Sequence, residues 1–187
     1  MKDLLLVIDV QNVYFPGQPW ACPSAPKMVE NIKKLLDSPA CGRDFDVMFT
    51  QYLAAEDPKG RWTKYNAEYK EINEDAFLCD MEESMKPYQE KWPTYTKSTY
   101  SSCYIPEIMD AIFKYDRIIL TGVVAECCIL ATMTALVDAG AHVCYLKDGV
   151  AGQSQEWEDT VERIAATFAP IHAEVMTTEE YLNIVEK

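Results

Sequence analysis

Basic residues and histidines are scarce in this sequence of 187 residues, and long apolar runs are missing. Lys and Arg number 17 against 30 Asp and Glu, so the formal net charge is −13. Because nucleic acids and anionic membrane surfaces attract clustered Lys and Arg, we expect neither as a partner. No apolar stretch approaches bilayer-spanning length, and Asp3 and Asp9 interrupt the segment where a signal peptide needs a charge-free run. We therefore expect a cytoplasmic protein.

The sequence has only two histidines, His142 and His172, and both come late. Because histidine is scarce and comes late, we do not expect a catalytic cysteine–histidine dyad. The sequence also lacks paired CxxC motifs, so we do not expect a zinc-binding site. The seven cysteines are odd in number and lack framework spacing, which is typical of a reducing compartment rather than a disulfide scaffold. We expect no cofactor and no metal. Core packing is expected for Cys22, Cys41, Cys79, Cys103 and Cys144.

Short apolar runs alternate with amphipathic segments along the chain. The strand-like runs are "DLLLVID", "FDVMFTQY", "YTKSTYSS", "DRIILTGVV", "AHVCYLKDG" and "AEVMT". The helical patterns are "SAPKMVENIKKLLDS" with Ser24 as its cap, "PEIMDAIFKY", "CCILATMTALVDAG" closed by Gly140, and "SQEWEDTVERIAATFA". This alternation predicts an α/β protein with three layers, α/β/α, around a mostly parallel, about six-stranded, Rossmann-like sheet. We expect one domain over residues 1–187.

Three reactive side chains follow predicted strands. Asp9 ends the first strand, Lys97 lies in the third, and Cys128 follows the fourth where a helix begins. Ligands of open α/β sheets bind at the carboxyl ends of the strands. The N-terminus of a helix lowers the pKa of a thiol placed there, and its free backbone N–H groups can bind an oxyanion. Cys128 is therefore a candidate nucleophile, with Asp9 as its base. The alternative is structural for each: Cys128 in the core, Asp9 capping a turn and Lys97 as a solvated charge. Cys127, turned roughly 100° round the helix, is expected to pack.

Three stretches together resemble the signatures of the isochorismatase-like cysteine hydrolases. They are "LLLVIDVQNVYF", "KSTYSS" and "GVVAECCILAT", in the family's order. The resemblance implies Asp9 as general base, Lys97 as catalytic lysine and Cys128 as nucleophile. It also implies a cis peptide between Val123 and Val124, which would turn the Val124 N–H toward that of Cys128 to form an oxyanion hole. The implied activity is hydrolysis of a small amide or carbamoyl compound through a thioester.

The sequence departs from the family pattern around the substrate. Nicotinamidases of the family carry metal-binding Asp and His after the second strand, where this chain has "TQYLAAEDPKGRW" without histidine. As substrate contacts we expect Tyr14 and Tyr100, with Trp62 stacking on a planar group. Arg61 or Lys64 is expected to meet a carboxylate. The alternative is that this loop is solvated or contacts another subunit.

Two other functions stay open. One is vinyl ether hydrolysis of the isochorismatase type, which releases pyruvate rather than ammonia or an amine. The other is a binding or redox-responsive protein, suggested by the adjacent pair Cys127 and Cys128. The family resemblance also implies a dimer or tetramer, and the apolar helix "CCILATMTALV" would suit such a contact.

Overall fold

The computed structural model describes residues 2–186, whose strands form one six-stranded sheet. The strands are β1 (Asp3–Ile8), β2 (Phe45–Tyr52), β3 (Thr94–Lys97), β4 (Ile118–Val123), β5 (Val143–Ala151) and β6 (Ala173–Met176). Their order is β3-β2-β1-β4-β5-β6, and every pairing is parallel. The predicted three-layer α/β/α class is confirmed. The strand order reverses between β1 and β4, where a parallel sheet opens a crevice for a ligand.

Helices follow most of the strands. The α-helices are α1 (Ala25–Asp37), α2 (Trp62–Glu68), α3 (Lys70–Asn73), α4 (Ala76–Cys79), α5 (Lys86–Gln89), α6 (Pro106–Ala111), α7 (Leu130–Asp138), α8 (Gln155–Thr167) and α9 (Thr178–Val185). Short 3₁₀ turns lie at Asn12–Tyr14, Glu83–Met85, Ser102–Tyr104 and Ile112–Lys114, and a π-helical turn at Ala125–Ile129. Within residues 2–186 no helix is both long and apolar enough to cross a membrane.

Two hydrophobic layers sandwich the sheet because alternate residues of each buried strand point to opposite faces. On β1, Leu5 and Val7 pack into one layer with α1, while Leu4, Leu6 and Ile8 pack into the other with α7. This double burial explains why β1 is an uninterrupted aliphatic run.

Several local predictions are corrected by the structure. Ser24 occupies the N-cap position of α1 but makes no capping hydrogen bond with its side chain, whose hydroxyl donates to Glu158. The fifth strand extends two residues beyond the predicted run "AHVCYLKDG", to Ala151. The Asp148 carboxylate within it accepts hydrogen bonds from the N–H and hydroxyl of Thr178 at the start of α9. Gly140 does follow α7, with φ +90°.

Candidate active site

The three predicted reactive side chains meet at the carboxyl ends of β1, β3 and β4. Lys97 Nζ lies 2.6 Å from Asp9 Oδ2 and 3.3 Å from Cys128 Sγ. All three residues are buried, with exposed fractions of 0% for Asp9, 5% for Lys97 and 3% for Cys128. The fold thus brings a carboxylate, an ammonium group and a thiol into one contact cluster beneath the strand ends.

Asp9 is held by its neighbour strand. Its backbone has φ 53°, a left-handed conformation that Asp tolerates better than most residues. The Thr50 hydroxyl donates to Asp9 Oδ1 at 2.7 Å, and the Thr50 carbonyl accepts from the Asp9 N–H at 3.1 Å. These bonds leave Oδ2 directed at Lys97, so β2 fixes which oxygen faces the cluster.

Lys97 is anchored by the loop that follows β3. Its ammonium group donates to the carbonyl oxygens of Thr99 and Tyr100, each at 3.0 Å. Burial lowers the pKa of Lys97, but the charges of Asp9 and Cys128 outweigh it and raise the pKa overall. Lys97 is therefore a fixed cation rather than a proton acceptor at neutral pH.

Cys128 lies in the π-helical turn that joins β4 to α7. The peptide bond between Val123 and Val124 is cis, and the Val124 carbonyl accepts from the Cys127 N–H at 3.0 Å and the Ile129 N–H at 3.2 Å. Gly122 precedes this bend with φ +108°, and a Cβ there would lie 2.1 Å from the Ile8 carbonyl oxygen. Only glycine lets β4 approach β1 this closely at the site.

The expected lowering of the Cys128 pKa is wrong. Burial raises the pKa of this thiol, and Asp9 raises it further by charge and hydrogen bonding, while Lys97 lowers it. The main cause is the burial of the thiol, followed by the charge of Asp9. At neutral pH the thiol is therefore the major form of Cys128.

A cavity of about 220 Å³ opens above Cys128. Its lining residues are Tyr14, Trp20, Tyr65, Tyr69, Tyr100, Val124, Cys127, Cys128 and Gln153. Tyr14 and Tyr100, which the sequence predicts as substrate contacts, line this cavity together with Cys128. Val124 and Cys128 both face the cavity, where their N–H groups are the predicted oxyanion donors.

Aromatic rings in contact with one another build one side of this cavity. Trp20 lies 5.4 Å from Tyr69 with the rings nearly perpendicular, and Tyr69 lies 4.8 Å from Tyr65, centroid to centroid. Tyr65 lies 6.2 Å from Tyr100, and Trp20 lies 5.9 Å from Tyr14. We call Tyr14, Trp20, Tyr65, Tyr69 and Tyr100 the aromatic wall.

The expected carboxylate clamp is not at the cavity. Arg61 and Lys64 are exposed and are absent from the lining. They begin α2, whose other side turns Tyr65 inward. Trp62 also lies outside the cavity, against Tyr65 at 5.1 Å and Tyr100 at 4.9 Å, and it borders a separate groove of about 530 Å³. Trp62 supports the wall from outside.

Cys127 takes a second role besides packing. It is partly buried against the core, as predicted, yet it also lines the cavity. Burial raises its pKa, and so does the charge of Glu126. Glu126 Oε1 accepts from the backbone N–H of Gln153 at 3.1 Å, which ties the cavity rim to the nucleophile turn.

Sequence reasoning missed three wall residues: Trp20, Tyr65 and Tyr69. Tyr65 and Tyr69 are four residues apart, the spacing that places side chains on one helix face. This spacing was available in the sequence. Trp20 follows a turn, and no local pattern indicated its direction.

The described residues do not fit the metal site that nicotinamidases of the family would imply. Among residues 2–186, no group of three or more His, Cys, Asp or Glu side chains is arranged to hold a metal ion. Residues 53–62, which follow β2, contain no histidine.

Comparisons with known proteins find similar sequences and structures. A curated relative, the uncharacterized isochorismatase family protein YddQ of Bacillus subtilis (strain 168), is 28% identical over 192 residues, which cover 97% of this chain and 99% of YddQ. The cysteine hydrolase from Pseudomonas syringae pv. phaseolicola 1448A has a similar structure, with a TM-score of 0.82 and 22% identity over 99% of this chain and 92% of that one.

The nicotinamidase PncA of Bacillus subtilis is also similar in structure. Its TM-score is 0.74 at 17% identity, over 94% of this chain and 99% of that one. At these identities the solved structures establish the shared fold. The isochorismatase domain matches residues 3–180, nearly the whole length. The chain belongs to the isochorismatase family.

Proposed function

We propose that this protein is a cysteine-dependent hydrolase that cleaves the C–N bond of a small amide or carbamoyl substrate through a thioester. The observation that carries the proposal is the buried cluster in which Lys97 contacts both Asp9 and Cys128. Nucleophilic catalysis by a thiol needs an adjacent base and a charge that holds the thiolate, and the cluster supplies both.

The first half of the reaction forms the thioester. The Cys128 thiol gives its proton to Asp9, and Sγ attacks the substrate carbonyl carbon. Lys97 stabilises the negative charge that moves from Asp9 to the sulfur. The N–H groups of Val124 and Cys128 stabilise the oxyanion, and Asp9 returns the proton to the departing ammonia or amine.

The second half restores the enzyme. Asp9 takes a proton from water, whose oxygen attacks the thioester carbonyl carbon. The carbon–sulfur bond breaks, the acid leaves, and Cys128 recovers its proton from Asp9. Asp9 thus alternates between base and acid, while the charge of Lys97 stays constant.

Vinyl ether hydrolysis is the alternative, and the two differ in their products. The amide route releases ammonia or an amine, whereas the ether route releases pyruvate. A binding or redox-responsive protein would show neither product and would share its thiol reactivity among several cysteines.

The proposal is tested by a panel of small primary amides and carbamoyl compounds, with ammonia release as the readout. Cys128→Ala should abolish turnover, and Cys103→Ala, a thiol outside the cavity, should leave it unchanged. Mass spectrometry of the wild-type protein during turnover should find the acyl group on Cys128. Full activity of Cys128→Ala on an amide that the wild type hydrolyses would refute the covalent route.

A further inference from the structure

The aromatic wall lines one side of the cavity with rings rather than with charges. Trp20 and Tyr69 meet at 84° and Tyr65 and Tyr100 at 89°, whereas Tyr65 and Tyr69 meet at 59° and Tyr14 and Trp20 at 33°. The rings therefore take several different orientations along the cavity. Aromatic rings such as those of Trp and Tyr are the groups with which proteins bind quaternary ammonium ions.

The charges around the cavity favour a cation over an anion. None of its lining side chains among the described residues is Lys or Arg. Lys97, which contacts the lining Cys128 at 3.3 Å, is paired with Asp9 at 2.6 Å. Glu126 lies half-buried beside the lining Cys127; burial and Glu126 raise the pKa of that thiol, and Lys97 lowers it by less.

The cavity also limits the size of the ligand. At about 220 Å³ it accommodates one small molecule whose carbonyl must reach Cys128 at the floor. The remainder of the molecule then lies between Trp20, Tyr65 and Tyr69. A bulky or long acyl group does not fit this enclosure without moving the wall.

We propose that the aromatic wall binds a compact cationic group, of the trimethylammonium class, as the part of the amide substrate remote from the scissile bond. This inference rests on the proposed function, since it names the substrate class of the same site. It replaces the carboxylate clamp expected from Arg61 and Lys64, which the fold leaves exposed.

The test uses two amides of the same shape that differ in one atom. Trimethylammonioacetamide carries a quaternary nitrogen where 3,3-dimethylbutanamide carries a quaternary carbon, and succinamic acid serves as the anionic comparison. We expect kcat/KM of the wild type to favour the cationic amide over its carbon isostere by about tenfold, the size of a desolvated cation–π interaction. The anionic amide should be the poorest of the three.

Variants of Trp20 separate the π face from simple bulk. Trp20→Leu should bring the ratio of the two isosteric amides close to one, and Trp20→Phe should retain part of the preference. Trp157→Leu removes a half-exposed indole on α8, outside the cavity, and should leave the ratio unchanged.

Binding of the two isosteres to Cys128→Ala, measured by calorimetry, separates the two proposals. Equal kcat/KM for the isosteres, or a preference for the neutral one, would overturn cation binding by the aromatic wall while leaving the proposed amide hydrolysis standing. Selective binding of the cationic amide to Cys128→Ala, with no hydrolysis of any amide by the wild type, would overturn the proposed hydrolase activity and leave cation binding by the wall standing. Absence of both would overturn both.

Discussion

The floor and the wall of the cavity are built in different ways. We use floor for the cluster of Asp9, Lys97 and Cys128 at the ends of buried parallel strands, of which Cys128 lines the cavity; each is held by backbone or side-chain hydrogen bonds. The wall comes from three connecting segments: Tyr14 and Trp20 lie between β1 and α1, Tyr65 and Tyr69 lie in and just after α2, and Tyr100 follows β3. The floor is charged and almost fully buried, whereas the wall is aromatic and partly exposed.

This difference separates chemistry from specificity. Strand ends in a sheet are rigid, which suits groups that must keep sub-ångström relations during bond making. Loops and short helices on the surface vary without disturbing the sheet, which suits the choice of substrate. On the proposed function, changes in the floor should act on kcat, and changes in the wall should act on KM and on preference among substrates.

The largest expected effect comes from removing Asp9, the proposed base in the floor. Asp9→Asn keeps a side chain that tolerates the φ of 53° but cannot accept the thiol proton, so kcat for ammonia release should fall about 10²- to 10⁴-fold. It also leaves Lys97 buried without its carboxylate, which should cost about 3–5 kcal/mol of unfolding free energy.

A double variant separates these two consequences. Asp9→Asn combined with Lys97→Met removes the stranded charge, so the unfolding free energy should recover while activity stays lost. Chemical denaturation and the amide assay measure the two quantities on the same samples. Recovery of activity along with stability would mean that Asp9 acts only by holding the floor together.

The next effect concerns the close approach of β4 to β1. Gly122→Ala would place a Cβ 2.1 Å from the Ile8 carbonyl oxygen, whereas Gly140→Ala meets no atom within 4 Å although its φ is also positive. We expect Gly140→Ala to cost about 1–2 kcal/mol through its backbone alone. Gly122→Ala should cost about 2 kcal/mol more and lower kcat, as measured by denaturant unfolding and turnover. Equal losses of unfolding free energy in the two variants would show that β4 and β1 can move apart at Gly122 without cost.

A smaller effect is expected at Gln11, two residues after Asp9, because Gln11 holds the backbone of Tyr52, whose ring lies 6.5 Å from that of Tyr65 in the wall. The Gln11 amide donates to the carbonyls of Tyr52 at 3.0 Å and Cys79 at 2.6 Å, and it accepts from the Tyr52 N–H at 2.9 Å. Gln11→Leu leaves these backbone groups of Tyr52 and Cys79 without the Gln11 amide as a hydrogen-bond partner. It should therefore lower the free energy of unfolding by about 2 kcal/mol and raise KM.

Gln51→Leu is the matched control, because Gln51 makes one bond, to the same Cys79 carbonyl at 2.8 Å. It should cost less than about 1 kcal/mol. If Gln11→Leu alters kcat alone and leaves KM unchanged, the link between Gln11 and the wall is wrong.

The smallest expected effect tests the protonation state of the Cys128 thiol. Because burial and Asp9 raise the pKa of Cys128, its thiolate is the minor form at neutral pH, and alkylation should accelerate as pH rises through 9. Asp9→Asn removes a charge that raises this pKa, so Cys128 should alkylate about tenfold faster at a given pH, even as turnover is lost.

Site-resolved mass spectrometry measures this rate, with Cys103 as the internal reference because it lies outside the cavity. A fast, pH-independent rate for wild-type Cys128 in mildly acidic buffer would contradict the raised pKa. It would restore the preformed thiolate that a helix start alone predicts.

Most of the sheet could be predicted because each buried strand is a short apolar run. "FDVMFTQY" corresponds to β2 residue for residue, and "DLLLVID" places Asp9 one residue beyond β1. The C-terminal helix α9 was missed, although Thr177 and Glu180 form a capping box that marks its start. The short helices between β2 and β3 were missed because polar and aromatic residues alternate there without a clear period.

The sequence by itself determined the strands, their carboxyl-terminal reactive residues and the family signatures, because those follow from local pattern and order along the chain. Only the tertiary structure decided that Lys97 contacts both Asp9 and Cys128, that the thiol pKa rises, and that Trp20 joins Tyr65 and Tyr69 around one cavity. The pKa of Cys128 depends on its burial and on its distance from charged side chains, and the lining of the cavity depends on contacts between residues far apart in sequence. Burial and such contacts exist only in the folded chain.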